Sequence, residues 1–255
     1  MHSRERVFAM LEGRPMDCLP AMPITMMFAA GQIGAKYLHD ATDCRVQVEG
    51  RIRAGERFGV DHISVISEPC CEVADLGGGI KFFPDHPSAV DEANALLAEK
   101  TRLAGLRVPD PSRPGRMLNR VRGLKERVGN EKLLEGWIEG PCGETADLRG
   151  INRLMLDFYD DPAFVRDLMD FVGEMELRFA RARIEAGVDL MGMGNPAASL
   201  VSALRNGTPE SVTEALAGCP RQAGSRCVAG CEAPRDTPPA NLRAMVEYAH
   251  SHSPA

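Results

Sequence analysis

The residues best suited to chemistry in this chain are thiols and carboxylates placed at the ends of β-like segments. Cys70 and Cys71 follow an alternating, β-branched run at 61–67 (Asp-His-Ile-Ser-Val-Ile-Ser), Cys142 follows the run at 133–139, and Cys231 closes a short run that begins at Cys227. Glu68 directly follows the first of these runs, Glu139 ends the second, and Asn195 comes after a further run at 188–193. A thiolate is a nucleophile and a soft metal ligand, and a carboxylate can take or give a proton, whereas an amide cannot act as a base. The competing reading of the thiols is packing, since free cysteine is among the most buried residue types. For Glu68 and Glu139 it is a solvated loop or rim position. His62, beside Asp61 within a strand, reads as a structural histidine, and His2, His250 and His252, close to the termini, read as solvated.

Strands and helices must alternate to position these groups. Ser3 can cap a first helix whose apolar face is Val7, Met10 and Leu11, with Gly13 and Pro15 ending it. Met22–Phe28 is a first strand, Asp43–Phe58 a helix stopped by Gly59, and Asp61–Ser67 a second strand. Residues 77–87 suggest a hairpin or arm, and Pro109, Pro111 and Pro114 a loop. Met117–Val128 is a helix and Leu133–Glu139 a third strand, ended by Gly140-Pro141. The clearest helix starts with Asp161 as N-cap and Pro162 at its first position, buries Val165, Leu168, Met169, Val172, Met175 and Phe179, and closes at Gly187. Val188–Met193 is a fourth strand. Thr208-Pro209-Glu210 opens another helix, Cys227–Cys231 is the last strand, and Thr237-Pro238-Pro239 opens the last helix, with Leu242, Met245 and Val246 inward. This alternation implies parallel strands with right-handed crossovers, so the thiols and carboxylates above fall at strand C-terminal ends, where such folds place active sites.

Composition narrows the class. The 255 residues are 44% hydrophobic and 26% charged, enough apolar material for one sizeable core. Thirty Lys and Arg against 36 Asp and Glu leave a charge of −6, which argues against a nucleic-acid partner. No apolar run is long enough to span a membrane, and the opening Met-His-Ser-Arg-Glu-Arg has no signal-peptide core. Without an export signal, the eight cysteines read as reduced thiols and the expected location is the cytoplasm.

Several segments, in order, resemble the uroporphyrinogen decarboxylase superfamily. They are Ser3-Arg4-Glu5-Arg6-Val7 with Leu11-Glu12-Gly13-Arg14-Pro15, Glu139-Gly140-Pro141 with Leu148-Arg149-Gly150, and Tyr159-Asp160-Asp161-Pro162. Glu185-Ala186-Gly187-Val188-Asp189, Ala197-Ala198-Ser199-Leu200 and the tail Gly230-Cys231-Glu232-Ala233-Pro234-Arg235-Asp236-Thr237-Pro238-Pro239 complete the set. Within the superfamily these look most like the methylcobamide:coenzyme M methyltransferase branch. The resemblance covers nearly the whole chain as one domain, 1–255, and implies an α/β fold, a (βα)₈ TIM barrel.

Only about five strands are legible, and the resemblance locates the gap. Up to Ser202 the chain looks like the first four βα units, and from about Leu204-Arg205 like the segment after the seventh strand. Strands one to four and eight are then present and five to seven missing, a junction near 202–205 that omits on the order of 90 residues at about 30 per unit. The branch transfers a methyl group from methylcobalamin, carried on a partner corrinoid protein, to a small thiol activated by zinc. Zinc with soft ligands and an open position lowers the pKa of a bound thiol. The resemblance implies Cys231 as one zinc ligand. The other two, a His-x-Cys pair, would fall in the missing piece, and none of the six histidines here stands in that pattern. Cys70, Cys71 and Cys142 are the possible substitutes. Glu68 takes the place of a pocket Asp after the second strand, and Asn195 stands where relatives often carry an acid.

Two alternatives stay open. A metal-free carboxy-lyase of porphyrin biosynthesis would need an Arg-Gln-Ala-Gly-Arg signature after the first strand, where this chain has Phe28-Ala29-Ala30-Gly31-Gln32. An inactive, internally deleted remnant would have an open sheet in the order 4-3-2-1-8, with uncovered edges that favour self-association or a partner.

Overall fold

The computed structural model describes residues 1–66, 70–112, 117–193, 203–218 and 228–252, without the side chains of Met117, Met193 and 228–232. Five parallel strands dominate the described residues: β1 (Ala21–Ile24), β2 (His62–Val65), β5 (Leu133–Ile138), β6 (Leu190–Met193) and β7 (Val228–Glu232). A two-residue antiparallel pair, β3 (Ile80–Lys81) and β4 (Ala89–Val90), forms the arm. β2, β5 and β6 are hydrogen-bonded in that order, and β1 pairs with β7, Ala21 opposite Val228. The Asp61 N–H donates to the Ala21 carbonyl at 2.9 Å, linking the two sets just ahead of β2. The last strand thus lies beside the first, and β2, β5 and β6 form a separate three-stranded sheet among the described residues.

The helices are α1 (Ser3–Leu11), α2 (Met26–Gln32), α3 (Tyr37–Thr42), α4 (Cys44–Phe58), α5 (Cys71–Asp75), α6 (Met117–Val128), α7 (Pro141–Arg149), α8 (Ile151–Asp160), α9 (Pro162–Ala186), α10 (Pro209–Gly218) and α11 (Pro239–Ser251). Sequence punctuation explains the best-defined ends. Asp43 Oδ1 accepts from the Arg45 N–H at 2.9 Å to start α4, and Gly59, at φ 69°, ends it in the left-handed region. Asp161 caps α9 through the Phe164 N–H, and Gly187, at φ 116°, closes it. Val165, Leu168, Val172, Met175 and Phe179 are buried, as their spacing requires. One cluster packs α10 and α11 against β1, and another packs α4 and α6 on β2 and β5.

Three local expectations are corrected. The first strand stops at Ile24, because the helix formers from Met26 to Ala30 wind into α2, its first turn closed from the Ala29 N–H to the Thr25 carbonyl at 2.6 Å. Ser3 lies inside α1, and the N-cap is His2, without a side-chain bond. α7 and α8 fill 141–160, where no helix was legible. Gly150, at φ 85°, splits the pair, and the apolar residues of α8, though at helical spacing, face outward, with only Leu154 and Asp157 buried. The C-terminal histidines are also held: His250, exposed as expected, has Nε2 2.8 Å from Asp61 Oδ2, and the His252 ring stacks on Tyr248.

Asp61, fully buried, also receives Arg6 Nη1 and, at 2.8 Å, the Ala21 N–H. Burial alone would raise its pKa, but these donors and His250 hold it below the usual carboxylate range. This hub ties α1, β1, β2 and α11 at the N-terminal end of the sheet. His62 is buried in β2 with Nε2 3.1 Å from Glu135 Oε2 on the neighbouring strand, a structural placement. No described helix is long and apolar enough to cross a membrane.

Candidate active site

β2 and β5 run parallel with Val65 opposite Gly136, so the chain leaves both strands on the same side of the sheet. β2 leads on to Cys70 and α5, and β5 leads into Glu139, Gly140 and α7. α9 crosses the same end and contributes Glu176 and Arg183. Parallel strands thus bring three separate stretches together at their C-terminal ends.

Arg183, 2% exposed, organises the group. Its Nη1 donates to the Trp137 carbonyl at the end of β5, and its Nη2 pairs with Glu72 Oε1 at 2.9 Å. Glu72 Oε2 accepts from the Cys71 thiol at 2.8 Å. Glu176 Oε1 accepts from the Gly140 N–H at 2.7 Å. Gly140 adopts φ 91° and ψ 146°, a conformation that side-chain-bearing residues avoid, and it turns the chain from β5 straight into α7 with Pro141 in the first turn. Glu144 follows in α7, 1% exposed, with Oε1 lacking a hydrogen-bond partner.

Glu72, Asp147 and Glu176 lie within electrostatic reach of both Glu139 and Glu144, and Arg183 opposes them at Glu139. Burial, followed by the charges of Glu72, Asp147 and Glu176, pushes Glu139 up to about 7, with Arg183 opposing. Burial and the same neighbours push Glu144 to about 9. Burial raises Asp147 to about 6, Glu92 adding to the effect. Burial also raises Glu176, against the pull of the Gly140 N–H. Near neutral pH, Glu144 is then an uncharged hydrogen-bond donor, while Glu139 is poised to gain or lose a proton. Two carboxyls with separated pKa values in one pocket are the arrangement that acid–base chemistry uses.

Of the residues singled out from the sequence, Glu139 sits in this cluster, half-buried. Cys71 joins it through Glu72. Cys70 is buried with Sγ 3.6 Å from the Ser88 carbonyl, and Cys142 is exposed in the first turn of α7. Glu68 and Asn195 lie outside the described residues, as does the side chain of Cys231, whose backbone forms part of β7. Among the described residues no three His, Cys, Asp or Glu side chains are grouped as a metal ion would need. Cys70 bonds the Ser88 carbonyl, Cys71 bonds Glu72 and Cys142 is exposed, so these described thiols are not gathered as a zinc ligand set.

Sequence reasoning missed Glu72, Glu144, Glu176 and Arg183. A signal for two of them existed. Glu176 and Arg183 fall on the same face of α9 as Val172, Met175 and Phe179, and charges at core positions mark paired or functional groups. Glu144 was hidden because α7 itself was not legible.

The sequence pattern described as "Uroporphyrinogen decarboxylase (URO-D)" matches residues 2–204. The methylcobamide:CoM methyltransferase MtbA of Methanosarcina acetivorans is 24% identical over 201 residues, 77% of this chain and 59% of that protein. The methylcobamide:CoM methyltransferase MtaA of Methanosarcina barkeri is 23% identical over 203 residues, with the same coverage. The chain thus matches 59% of the length of these curated relatives. Among solved structures, a methyltransferase from Methanosarcina mazei superposes with a TM-score of 0.77 at 16% identity, over 98% of this chain and 99% of that one. This likeness establishes an α/β fold of the same kind.

Proposed function

From the premise that the chain belongs to the uroporphyrinogen decarboxylase family, we propose that it is a methyltransferase that moves a methyl group from a methylcobamide, presented by a corrinoid partner protein, to a small thiol. The similarity to methylcobamide:CoM methyltransferases supports the donor and the acceptor class. The observation that carries a role for this chain is the carboxyl cluster at the strand ends, with Glu139 raised to about 7. A thiol must lose its proton before it can attack. In this reading the proton passes to Glu139, the thiolate sulfur takes the methyl group, and the cobalt keeps the electron pair of the broken bond. Glu144, protonated, adds no charge beside Glu139, and Arg183 holds Glu72 and the end of β5 in place.

Glu68 and Asn195 are proposed as further rim residues of this pocket, and Cys231 as the surviving zinc-ligand position of the family. The junction near 202–205 belongs to the same proposal, and the family match that ends at residue 204 is consistent with it. The carboxyl cluster disfavours the carboxy-lyase alternative, because its arginine, Arg183, is engaged by Glu72 rather than left for a polycarboxylate tetrapyrrole.

The test is demethylation of methylcobalamin, free and on a corrinoid protein, with coenzyme M as acceptor, followed by absorbance and by analysis of the methyl thioether. Turnover should rise through about pH 7 as Glu139 ionises. Glu139→Gln should lower it by on the order of 10²–10⁴ and flatten that pH dependence. No thioether above the protein-free control, with both donors and with zinc supplied, would refute the proposal and leave the inactive remnant.

A further inference from the structure

The hairpin arm that follows α5 has almost no core of its own. Residues 74–87 bury no side chain, and the consecutive aromatics Phe82 and Phe83 are 52% and 39% exposed. A segment of this kind opens locally, at a small fraction of the cost of unfolding the domain. Its root is fixed, because Val73, Leu76 and Val90 join the apolar cluster beneath α9. Its tip is held by polar contacts. The Leu38 N–H donates to the Pro84 carbonyl at 3.1 Å. The Asp85 carboxylate is gripped from two other segments. Lys36 Nζ lies 3.0 Å from its Oδ2, Arg235 Nη1 2.6 Å from its Oδ1, and the Tyr37 N–H donates to Oδ1 at 3.4 Å.

This grip sits at the strand ends. Ile24 ends β1, Ile66 follows β2, and both pack with Met26, Tyr37 and Trp137 in one cluster. Tyr37, which offers its N–H to Asp85, is therefore part of the same floor as Trp137, whose carbonyl Arg183 holds beside Glu139. Arg235 comes three residues after β7, on the parallel neighbour of β1. The charges do not balance. Two cations share one carboxylate, and Arg235 Nη1, though close to Asp85 and buried, has no aligned hydrogen-bond partner. An arginine fork takes two oxygens of one oxyanion far better than it takes a single carboxylate edge. With Asp85 swung away, Lys36 and Arg235 face one another without a counter-ion, so the open arm needs another anion in that place.

We propose that Asp85 is a latch that stands in for a ligand, and that the oxyanion group of a small molecule (a carboxylate, sulfonate or phosphate) binds Lys36, Arg235 and the Tyr37 N–H in its place and frees the arm to lift from the strand ends. The coupling is reciprocal: an anion that opens the arm binds more tightly once the arm is open. The latch controls access rather than chemistry. It is read without turnover, so it goes beyond the methyl-transfer reading and does not depend on it.

The experiment uses the full chain and follows amide hydrogen exchange at Leu38 and over residues 77–90, at constant ionic strength set with chloride so that screening does not change. Sodium ethanesulfonate and sodium sulfate are the anion probes, and 2-aminoethanethiol, which carries the opposite charge, is the control. Both anions should speed exchange in the wild type, and the control should not. Tighter binding of ethanesulfonate than of sulfate identifies the acidic end of an organic ligand, and the reverse identifies a free inorganic oxyanion. Asp85→Asn should speed exchange without any anion and leave the circular-dichroism spectrum unchanged. With the arm open about a tenth of the time in the wild type, the same substitution should tighten anion binding by on the order of 10-fold. The double variant Lys36→Gln, Arg235→Gln should also release the arm, but it should lose the response to both anions. Unchanged exchange in Asp85→Asn, equal responses to ethanesulfonate and to 2-aminoethanethiol, or an anion response that survives in the double variant would each overturn the proposal.

Discussion

Replacing Glu144 by glutamine should change the stability of the protein in a pH-dependent way, with a reversal of sign near pH 6. Glu144 is 1% exposed, and burial, followed by the charges of Glu72, Asp147, Glu176 and Glu139, moves its carboxyl from an ordinary 4.5 to about 9. Between those values the folded chain holds one proton more than the unfolded chain, so stability falls as pH rises, by up to about 1.4 kcal/mol per pH unit. The loss is absent below pH 4.5, reaches about 3 kcal/mol at pH 7, and at the upper end of the window is at most about 6 kcal/mol. Glutamine is neutral in both states and escapes it. Its amide must still be buried where Glu144 Oε1 has no hydrogen-bond partner, a cost of about 1–2 kcal/mol that does not vary with pH. Urea denaturation of both proteins at pH 5, 6, 7 and 8 measures the difference. Glu144→Gln should be about 1 kcal/mol less stable than the wild type at pH 5 and about 3 kcal/mol more stable at pH 8. A difference that stays flat across this range would show that Glu144 is ionised in the folded protein and would refute the carboxyl pocket as described.

Glu72→Gln removes the neighbour that, after burial, most raises Glu139, and it frees Arg183 from its carboxylate partner, so the Glu139 pKa should fall from about 7 toward 4.5. Carbon-13 chemical-shift titration of Glu139 reads this directly, and an unmoved midpoint would contradict the shared pocket. Asp61→Asn leaves Arg6, 9% exposed, and His250 without their common acceptor, and should cost about 3–5 kcal/mol in urea denaturation. A loss under about 1 kcal/mol would mean that the hub contributes little.

The amino-acid sequence by itself determined the elements whose ends or stripes are encoded locally. α9 was legible from Asp161, Pro162, the Val165-to-Phe179 stripe and Gly187, and α4 from Asp43 and Gly59, because caps and helical spacing act within a few residues. The alternation of strands and helices pointed to parallel pairing, which β2–β5, β5–β6 and β1–β7 show. The sequence also pointed to the C-terminal ends of the strands as the place for chemistry and to Glu139 there. The tertiary structure alone decided which groups surround Glu139. Glu72 and Arg183 are 111 residues apart, and Gly140 and Glu176 are 36 apart. A pKa shift arises from burial and from neighbouring charges, and both are set by packing between distant segments, which no local pattern records. The outward face of α8 has the same origin. Its apolar spacing is present in the sequence, but periodicity states only that residues share a side. Whether that side meets the core or solvent was settled by Arg149 and Lys100 clamping Asp157 beneath it.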